Sequence, residues 1–282
     1  VAGIRSDYYN NTEEINYLPR LNIKYNPTEQ TAIRLSAGKA FRISNVFVEN
    51  ASFLATNRQI FVGELTPELA WNYGINVIHC FKLFDREGTI NADYYKTEFE
   101  NQVIVDVESQ GELSFYNLDG KSFASSMQFD VVYELFDRFD IKMAYKLNDV
   151  QATFDSKLKM VPLTPKERAL INLSYATNFE KWKFDITANY IGESRVPLHD
   201  DLANHTQLTE DMSNPFYLFN AQITKRFRHF DVYVGGENLG GYSQENPIIA
   251  SSNPSSDDFD ASLIWAPIQG RMFYLGFRCK IK

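Results

Sequence analysis

Acidic and imidazole side chains are concentrated in one irregular stretch, VPLHDDLANHTQLTEDMSNP, at residues 196–215. The candidate ligand-binding residues in this stretch are His199, Asp200, Asp201 and His205. Their oxygen and nitrogen atoms could contact a cation or a polar ligand. No ligand spacing on a regular helix or strand supports a metal cage, so we predict no metal site. A solvated loop is the simpler interpretation, and ligand contact is the alternative.

A second acidic stretch, SSNPSSDDFDAS, carries Asp257, Asp258 and Asp260. The same two interpretations apply, because a hydrated loop and a ligand contact both use exposed carboxylates. Trp265 follows on the same long segment, and its indole ring could stack on a ligand. Packing of one loop against another explains this tryptophan equally well.

Sequence motifs for catalysis are absent: the chain has no G-x-S-x-G, no H-E-x-x-H and no P-loop. The four histidines are scattered along the chain, at positions 79, 199, 205 and 229. We therefore predict that the protein is not an enzyme, and we predict neither catalytic residues nor a cofactor. The net charge of -8, without any basic window, argues against a nucleic-acid partner.

Apolar and polar residues alternate with a period of two along much of the chain, which is typical of β-strands. In FASSMQFDVVYEL and FDIKMAYKLN the apolar residues occupy alternate positions, and the tetrad Leu-Phe-Asp-Arg joins the two segments. The same tetrad occurs in KLFDREGT. We predict a tight hairpin turn at both copies, with Asp and Arg forming the turn and Phe84 and Phe136 entering it from the preceding strand.

Extending this pattern along the chain predicts twelve strands. They lie near residues 2–9, 18–26, 30–39, 70–84, 89–105, 123–136, 139–149, 167–177, 181–192, 215–227, 230–240 and 270–281. Tight connections alternate with long ones, and the long ones lie near residues 41–69, 106–122, 150–166, 193–214 and 241–269. Long loops at one end and short turns at the other are typical of outer-membrane barrels. Strands of ten or more residues also fit the roughly nine to eleven that a tilted membrane strand needs.

The two faces of these strands differ in polarity. Charged residues that alternate with apolar neighbours are predicted to line a lumen: Arg20, Lys24, Arg34, Asp130, Asp140, Lys142, Lys146, Arg168, Asp185 and Arg278. Aromatic residues make up 15% of the chain. They are predicted to form one girdle near the short turns (Phe136, Phe139, Trp182, Phe184, Phe227 and Phe230) and one near the long loops (Trp71, Tyr145, Tyr190, Phe273 and Tyr274).

Several ordered segments resemble one known family. The segments VGGENLGGYSQENPII and FDASLIWAPIQGRMFYLGFRCKIK are similar to the end of TonB-dependent outer-membrane receptors, especially those of the Bacteroidetes type. Upstream, LPRLNIKYNPTEQTAIRLSAGKAFRISNVF, LTPELAWNYG, ADYYKTEFENQVIVD and PLTPKERALINLSYAT look like successive strand pairs of that family. The resemblance covers essentially the whole chain.

This resemblance implies an all-β, antiparallel transmembrane β-barrel, with about twelve strands here out of roughly 22. Residues 1–282 would form the C-terminal part of one barrel domain, with the plug domain and the first strands outside this chain. The implied location is the cell outer membrane, and the implied function is energised uptake of a scarce nutrient such as a siderophore, cobalamin or another metal chelate. The implied partners are outer-membrane lipid, the nutrient ligand and a periplasmic TonB-type energy transducer that acts through the plug. A surface lipoprotein is a further candidate partner.

Two alternatives remain open from the sequence. A complete twelve-stranded barrel, acting as a passive channel or a secretion pore, would pair its first strand with its last. A soluble adhesin or sugar-binding β-sandwich would bury its apolar strand faces against each other in a dry interior.

Overall fold

The structure is a computed structural model that describes residues 1–10, 14–109, 111–197, 212–257 and 259–279. Within these ranges the fold is all-β. The strands are β1 (Ala2–Tyr9), β2 (Glu14–Thr28), β3 (Thr31–Arg42), β4 (Gln59–Val62), β5 (Glu68–Leu83), β6 (Arg86–Asn101), β7 (Val103–Asp106), β8 (Glu112–Asn117), β9 (Ser122–Phe136), β10 (Phe139–Phe154), β11 (Lys157–Met160), β12 (Glu167–Ala176), β13 (Trp182–Ile191), β14 (Phe216–Arg226), β15 (Phe230–Glu237) and β16 (Met272–Cys279). Helix α1 (Val46–Glu49) and two short 3-10 helices, Ala51–Leu54 and Asn178–Glu180, lie in connections. None of the helices in the described ranges is long and apolar enough to cross a membrane.

Twelve of the strands form one continuous antiparallel sheet. The strand order is β1-β2-β3-β5-β6-β9-β10-β12-β13-β14-β15-β16, and β11 pairs only with the end of β10. These twelve strands correspond to the twelve predicted ones, which confirms the prediction. Strands β1 and β16 are the two ends of the described sheet and do not pair with each other. The structure therefore does not show the closed twelve-stranded barrel of the alternative interpretation.

One predicted strand is divided in two. The segment near residues 89–105 forms β6 up to Asn101 and then β7, which belongs to a separate small sheet of order β4-β8-β7. The backbone leaves the large sheet at this point, where Val103 N–H donates to the buried carboxylate of Glu68 at 3.0 Å. Val103 and Ile104 are buried, unlike most strand residues of the large sheet. Burial among the connections therefore ends β6 earlier than the alternation predicts.

The register of the sheet places polar and apolar residues on opposite faces. On one face, seven successive cross-strand partners are polar: Lys24, Arg34, Asn76, Asp93, Gln128, Lys146 and Arg168. The adjacent row of partners points to the other face and is apolar: Ile23, Leu35, Ile75, Tyr94, Met127 and Leu147. This confirms the predicted separation of the faces, since successive side chains of a strand alternate in direction.

The apolar face is exposed rather than packed against a second sheet. All six members of the apolar row are exposed, and Leu275 on β16 has 76% of its surface accessible. A sandwich would bury such rows in a dry core, so the soluble-sandwich alternative is wrong for the described residues. Exposed apolar surface costs roughly 25 cal/mol per Å² in water. The apolar face therefore requires an apolar surrounding such as hydrocarbon.

The first Leu-Phe-Asp-Arg tetrad forms a two-residue hairpin turn. Strand β5 ends at Leu83 and β6 begins at Arg86, so Phe84 and Asp85 are the turn residues, with φ angles of 49° and 61°. The hairpin itself is confirmed, but the prediction that Asp and Arg form the turn is wrong here. The regular pairing of Leu83 with Arg86 places the turn one residue earlier in the tetrad.

The second tetrad turns at Asp137 and Arg138, as predicted, because a register shift in β9 adds one residue before the turn. The two copies also contact each other. Arg86 Nη2 donates to Asp137 Oδ1 at 2.6 Å, and Arg86 Nη1 lies 3.3 Å from Glu134 Oε1. The recurrence therefore supplies the two partners of an ion pair between neighbouring hairpins.

Rings of the predicted aromatic girdle near the short turns contact one another. Phe136 stacks on Phe139 with centroids 4.4 Å apart, and Phe227 stacks on Phe230 at 4.6 Å. One member of the opposite girdle is assigned to the wrong face. Tyr274 is the register partner of Gly235 on the polar face, where its hydroxyl donates to Gln222.

The buried core lies among the long connections. One cluster contains Val46, Val103, Val107, Leu113 and Phe115, a second contains Val196, Ile249 and Leu263, and a third contains Ile104, Ala152 and Phe154. Each cluster combines residues from different connections or strand ends. Full burial of one such side chain contributes about 1.5–3 kcal/mol. The connections therefore fold as a packed unit at one end of the sheet.

Glycines in the last strands accommodate tyrosine rings. A Cβ atom at Gly235 would lie 2.9 Å from the Ala221 carbonyl oxygen and would overlap the ring of Tyr274. No such neighbour surrounds Gly270, in the connection before β16, where nothing lies within 4 Å of a Cβ. Glycine at position 235 therefore allows the ring to cover the backbone.

We expect Gly235→Ala to lower the free energy of unfolding by about 1–3 kcal/mol, because the added methyl group overpacks the site. Denaturant unfolding of the full-length protein, folded in detergent, measures this difference. Gly270→Ala is the control and should change the value by less than about 0.5 kcal/mol. Equal losses in both variants would contradict this role of Gly235.

Candidate functional site

Three long connections meet at the buried guanidinium group of Arg58. Its Nε and Nη2 atoms donate to Asp260 Oδ2 at 3.0 and 2.8 Å. Its Nη1 atom donates to the carbonyl oxygens of Val107, Ser109 and Glu112 at 3.3, 3.3 and 3.0 Å. The Arg58 and Asp260 side chains are 4% and 5% exposed, so each charge is neutralised inside the protein. Arg58 thus joins the β3–β5, β6–β9 and β15–β16 connections.

Arg195 joins the two remaining long connections to the β6–β9 connection. Its Nη1 and Nη2 atoms donate to the two carboxylate oxygens of Glu108 at 3.1 and 2.6 Å, and its Nε donates to the carbonyl oxygen of Met160 at 2.5 Å. Lys159 on β11 lies 2.6 Å from Glu108 as well. The guanidinium group also lies over the ring of Phe154, 5.4 Å from its centroid. The β6–β9, β10–β12 and β13–β14 connections are therefore joined at one carboxylate.

The electrostatic environment of Glu108 favours its charged form. Burial opposes ionisation, but the hydrogen bonds and positive charges of Arg195 and Lys159 outweigh it and lower the pKa of Glu108 below its ordinary value of 4.5. Nearby, burial and a hydrogen bond donated to Asp106 raise the pKa of the Tyr116 hydroxyl. Glu108 therefore stays ionised and Tyr116 stays protonated near neutral pH.

Two amide side chains fix the β15–β16 connection. Asn238 begins it with a φ angle of 49°; its Nδ2 donates to the Tyr242 carbonyl at 2.6 Å and its Oδ1 accepts from Tyr242 N–H at 3.1 Å. Gln244 Oε1 accepts from the backbone N–H groups of Trp265 and Ala266 at 2.9 and 3.2 Å. These bonds hold Trp265 at a defined position over the polar face of the sheet.

A cavity of about 710 Å³ lies between this connection and strands β9, β10, β12, β13 and β14. Trp265 and Phe216 supply aromatic surface, and their ring centroids are 6.1 Å apart. The polar part of the lining comes from Gln128, Lys146, Arg168 and Asn189. Concave sites with apolar walls and a few convergent polar groups are typical small-molecule sites.

Lys146 and Arg168 are the two cations of this cavity. They are direct cross-strand partners on β10 and β12, an arrangement in which like charges destabilise a sheet. Neither has a carboxylate within ion-pair distance in the described part of the chain, although many other basic residues do. Two adjacent unpaired cations beside aromatic surface have the chemistry to bind an anionic, partly apolar molecule.

The predicted site residues lie in different environments in the structure. Trp265 lines the cavity, as a ligand-stacking residue must. Asp257 is exposed on the surface of the same connection. Asp260 is not in a hydrated loop, because it is buried, binds Arg58 and accepts from Ser262 N–H and Oγ.

The remaining predicted site residues, His199, Asp200, Asp201, His205 and Asp258, lie outside the described residues. Ligand contact by any of the predicted residues stays a prediction. Within the described ranges, no group of three or more His, Cys, Asp or Glu side chains could hold a metal ion.

Sequence reasoning assigned Lys146 and Arg168 to the lumen but did not select them as ligand contacts. The signal was incomplete: alternation gives the face of each residue, but only the register between β10 and β12 makes them neighbours. The arginines at positions 58 and 195 carried no local signal, because their partners are up to 202 positions away.

Comparison with known proteins identifies relatives of this architecture. The family described as TonB dependent receptor-like, beta-barrel matches residues 1–239. The ferric enterobactin receptor of Pseudomonas aeruginosa is 14% identical and aligns with a TM-score of 0.69 over 99% of this chain and 42% of its own. The ferric-catecholate import receptor Fiu of E. coli K12 is 18% identical and aligns with a TM-score of 0.60 over 94% of this chain and 35% of its own.

The siderophore receptor PiuA of Acinetobacter baumannii gives a similar result, with 17% identity and a TM-score of 0.59 over 94% of this chain and 36% of its own. At these identities the likenesses show the fold alone. The chain thus spans roughly two fifths or less of the solved receptors that it matches.

We expect Asp260→Leu to lower the free energy of unfolding by about 3–5 kcal/mol, because Arg58 keeps a buried charge without its partner. The double variant Arg58→Met with Asp260→Leu should recover part of the loss. Denaturant unfolding of the full-length protein measures both. Asp257→Leu, on the same connection but exposed, is the control, and a loss there as large as for Asp260→Leu would contradict the role of the buried pair.

We expect the packing of the connections to weaken in acid through Glu108. Its folded pKa is below its ordinary value, so its stabilisation is present above about pH 4.5 and is lost as the pH falls through the lowered pKa. Hydrogen exchange of the β6–β9 connection in wild-type protein and in Glu108→Gln, corrected for intrinsic rates, measures the effect. The variant should exchange faster at pH 7, and the difference should vanish in acid; a difference independent of pH would refute this assignment.

Proposed function

The chain belongs to the TonB-dependent receptor-like β-barrel family, and from this membership we propose that it forms part of an outer-membrane receptor for energised uptake of a scarce nutrient. The nutrient enters as a small-molecule metal chelate. The two-faced sheet supports this location, because its apolar face suits hydrocarbon and its polar face suits an aqueous or protein-filled lumen. The long connections then lie at the cell surface and the short turns in the periplasm.

The observation that carries the proposed substrate class is the cavity beneath Trp265. Lys146 and Arg168 provide two adjacent positive charges, and Trp265 and Phe216 provide aromatic surface. This combination favours a negatively charged chelate with flat apolar groups, such as a ferric siderophore, over an uncharged ligand. Two matching receptors are named for ferric enterobactin and for ferric catecholates. Cobalamin and other metal chelates are the competing ligands.

We further propose that residues 1–282 form the C-terminal part of one barrel of the Bacteroidetes type, completed by further strands and by a plug domain outside this chain. The segment Glu237-Asn238-Leu239 supports this, since it resembles the segment that leads into a long loop near the end of those receptors, and Asn238 here bonds to the Tyr242 and Gln269 carbonyls of such a connection. A periplasmic TonB-type energy transducer would act through the plug. A surface lipoprotein is a further candidate partner at the long connections.

Uptake of labelled ferric siderophores by intact cells tests the proposal. Deletion of the gene should abolish energised uptake of at least one ferric siderophore, and the full-length gene should restore it. A protonophore should block the restored uptake, because transport through such a receptor needs the inner-membrane energy source. Unchanged uptake of every ferric siderophore in the deletion strain, with loss of labelled cobalamin uptake instead, would overturn the proposed substrate class.

In the same assay, we expect Lys146→Gln with Arg168→Gln to raise the half-saturating siderophore concentration by at least about tenfold, since a hydrogen bond to a charged group contributes about 1.5–3 kcal/mol. The control is Lys24→Gln with Lys142→Gln, which removes the same charge from the same face outside this cavity. Equal effects of the two double variants would show a general effect of lumen charge, and would contradict a specific site.

A further inference from the structure

Two of the short turns carry a concentration of basic and aromatic side chains. The turn between β12 and β13 and the turn between β14 and β15 are neighbours, because Arg226 N–H donates to the Lys181 carbonyl at 2.9 Å. We call their exposed or half-buried outward residues the basic rim: Phe179, Lys181, Trp182, Lys225, Phe227 and Arg228. The rim lies at the end of the sheet opposite the candidate ligand cavity.

The cations of the basic rim lie beside aromatic rings. Lys225 Nζ lies 4.1 Å from the centroid of Trp182 and 5.9 Å from that of Phe227, and Lys181 Nζ lies 5.9 Å from that of Phe179. Lys225 and Trp182 are register partners on the apolar face, so both point outward and not into the lumen. Aromatic rings in this position mark the boundary between hydrocarbon and water.

The basic rim has positive charges without carboxylate partners. Within the described residues, no carboxylate lies within ion-pair distance of Lys181, Lys225 or Arg228, whereas the nearby Glu180 pairs with Lys183 and Arg226. The positive charge of Lys183 and the hydrogen bond from Arg226 lower the pKa of Glu180, so this carboxylate stays ionised and engaged. An anion that binds the rim therefore does not have to displace an internal partner.

The other short turns lack this character. The β2–β3 turn contains Glu29, the β5–β6 turn consists of Phe84 and Asp85, and the β9–β10 turn consists of Asp137 and Arg138. Each of these turns thus contributes a carboxylate. Among these three turns, Arg138 is the single cation without a carboxylate partner, so several such cations are gathered only in the basic rim of the described sheet.

Phe179 adds a second, independent observation. It lies at the tip of its turn with a φ angle of 58° and is 88% exposed. An apolar ring exposed to this extent is costly in water, and contact with lipid at the membrane boundary would remove that cost. Phe84 in the β5–β6 turn is 86% exposed as well, and what distinguishes Phe179 is Lys181 beside its ring.

We propose that the basic rim binds the phosphate group of an anionic phospholipid in the periplasmic leaflet of the outer membrane. Lys181, Lys225 and Arg228 would contact the phosphate, while Trp182, Phe179 and Phe227 would contact the glycerol backbone and the upper acyl chain. The orientation rests on the proposed function, which places the short turns at the periplasmic side. The lipid class follows from the charge, because phosphatidylethanolamine carries no net charge and phosphatidylglycerol is anionic.

Native mass spectrometry of the full-length receptor tests this inference. The detergent-solubilised protein is equilibrated with a mixture of phosphatidylglycerol and phosphatidylethanolamine, and the ratio of the two retained lipids is measured. Wild-type receptor should retain phosphatidylglycerol preferentially. The triple variant Lys181→Gln, Lys225→Gln, Arg228→Gln should lower this preference by at least about fivefold. That is the increase in affinity that a single Lys or Arg near an anionic membrane surface provides.

The control variant Lys82→Gln, Arg138→Gln, Lys157→Gln removes the same charge from exposed positions outside the basic rim and should retain the wild-type preference. An unchanged preference in the rim variant, or equal losses in rim and control variants, would overturn the inference.

Siderophore uptake separates the lipid-binding inference from the proposed function. The rim variant should transport normally, and absence of uptake by wild-type receptor counts against the proposed function alone. If the receptor does not fractionate with the outer membrane, both the proposed function and the lipid-binding inference are contradicted.

Discussion

Backbone pairing in an apolar surrounding is the constraint on which this structure depends. A strand in hydrocarbon has no water to satisfy its N–H and C=O groups, so each strand must pair with a neighbour along its membrane-spanning length. The antiparallel register from β1 to β16 meets this requirement between neighbours. Once the register is fixed, alternation of side chains separates a polar from an apolar face, and neither face can build a conventional buried core.

The connections at one end supply the core that the strands lack. Three apolar clusters form there, and two arginines hold the connections together. Arginine suits this role because its planar group carries five donors, so it can bind a carboxylate and several backbone carbonyls together. The connections are therefore better described as one packed unit than as five separate loops. This unit positions Trp265 over the lumen, and the cavity follows from it.

The two ends of the sheet present opposite chemistries to their surroundings. At the long connections, positive charge is held inside the lumen beside aromatic surface, where a soluble anion could reach it. At the short turns of β12 to β15, positive charge points outward beside an aromatic girdle, where a lipid anion could reach it. The same residue types thus serve different partners because the register turns Arg168 inward and Lys225 outward.

The sequence by itself determined the twelve strands, the two hairpins at the repeated tetrad and the polarity of most strand faces, because each depends on a local alternation of residue types. It could not determine that one tetrad turns a residue earlier, that Tyr274 covers Gly235 on the polar face, or that Asp260 is buried against Arg58. Nor could it place Lys146 beside Arg168. These features depend on register and on contacts between distant segments, which alternation along one strand does not encode; only the tertiary structure decided them.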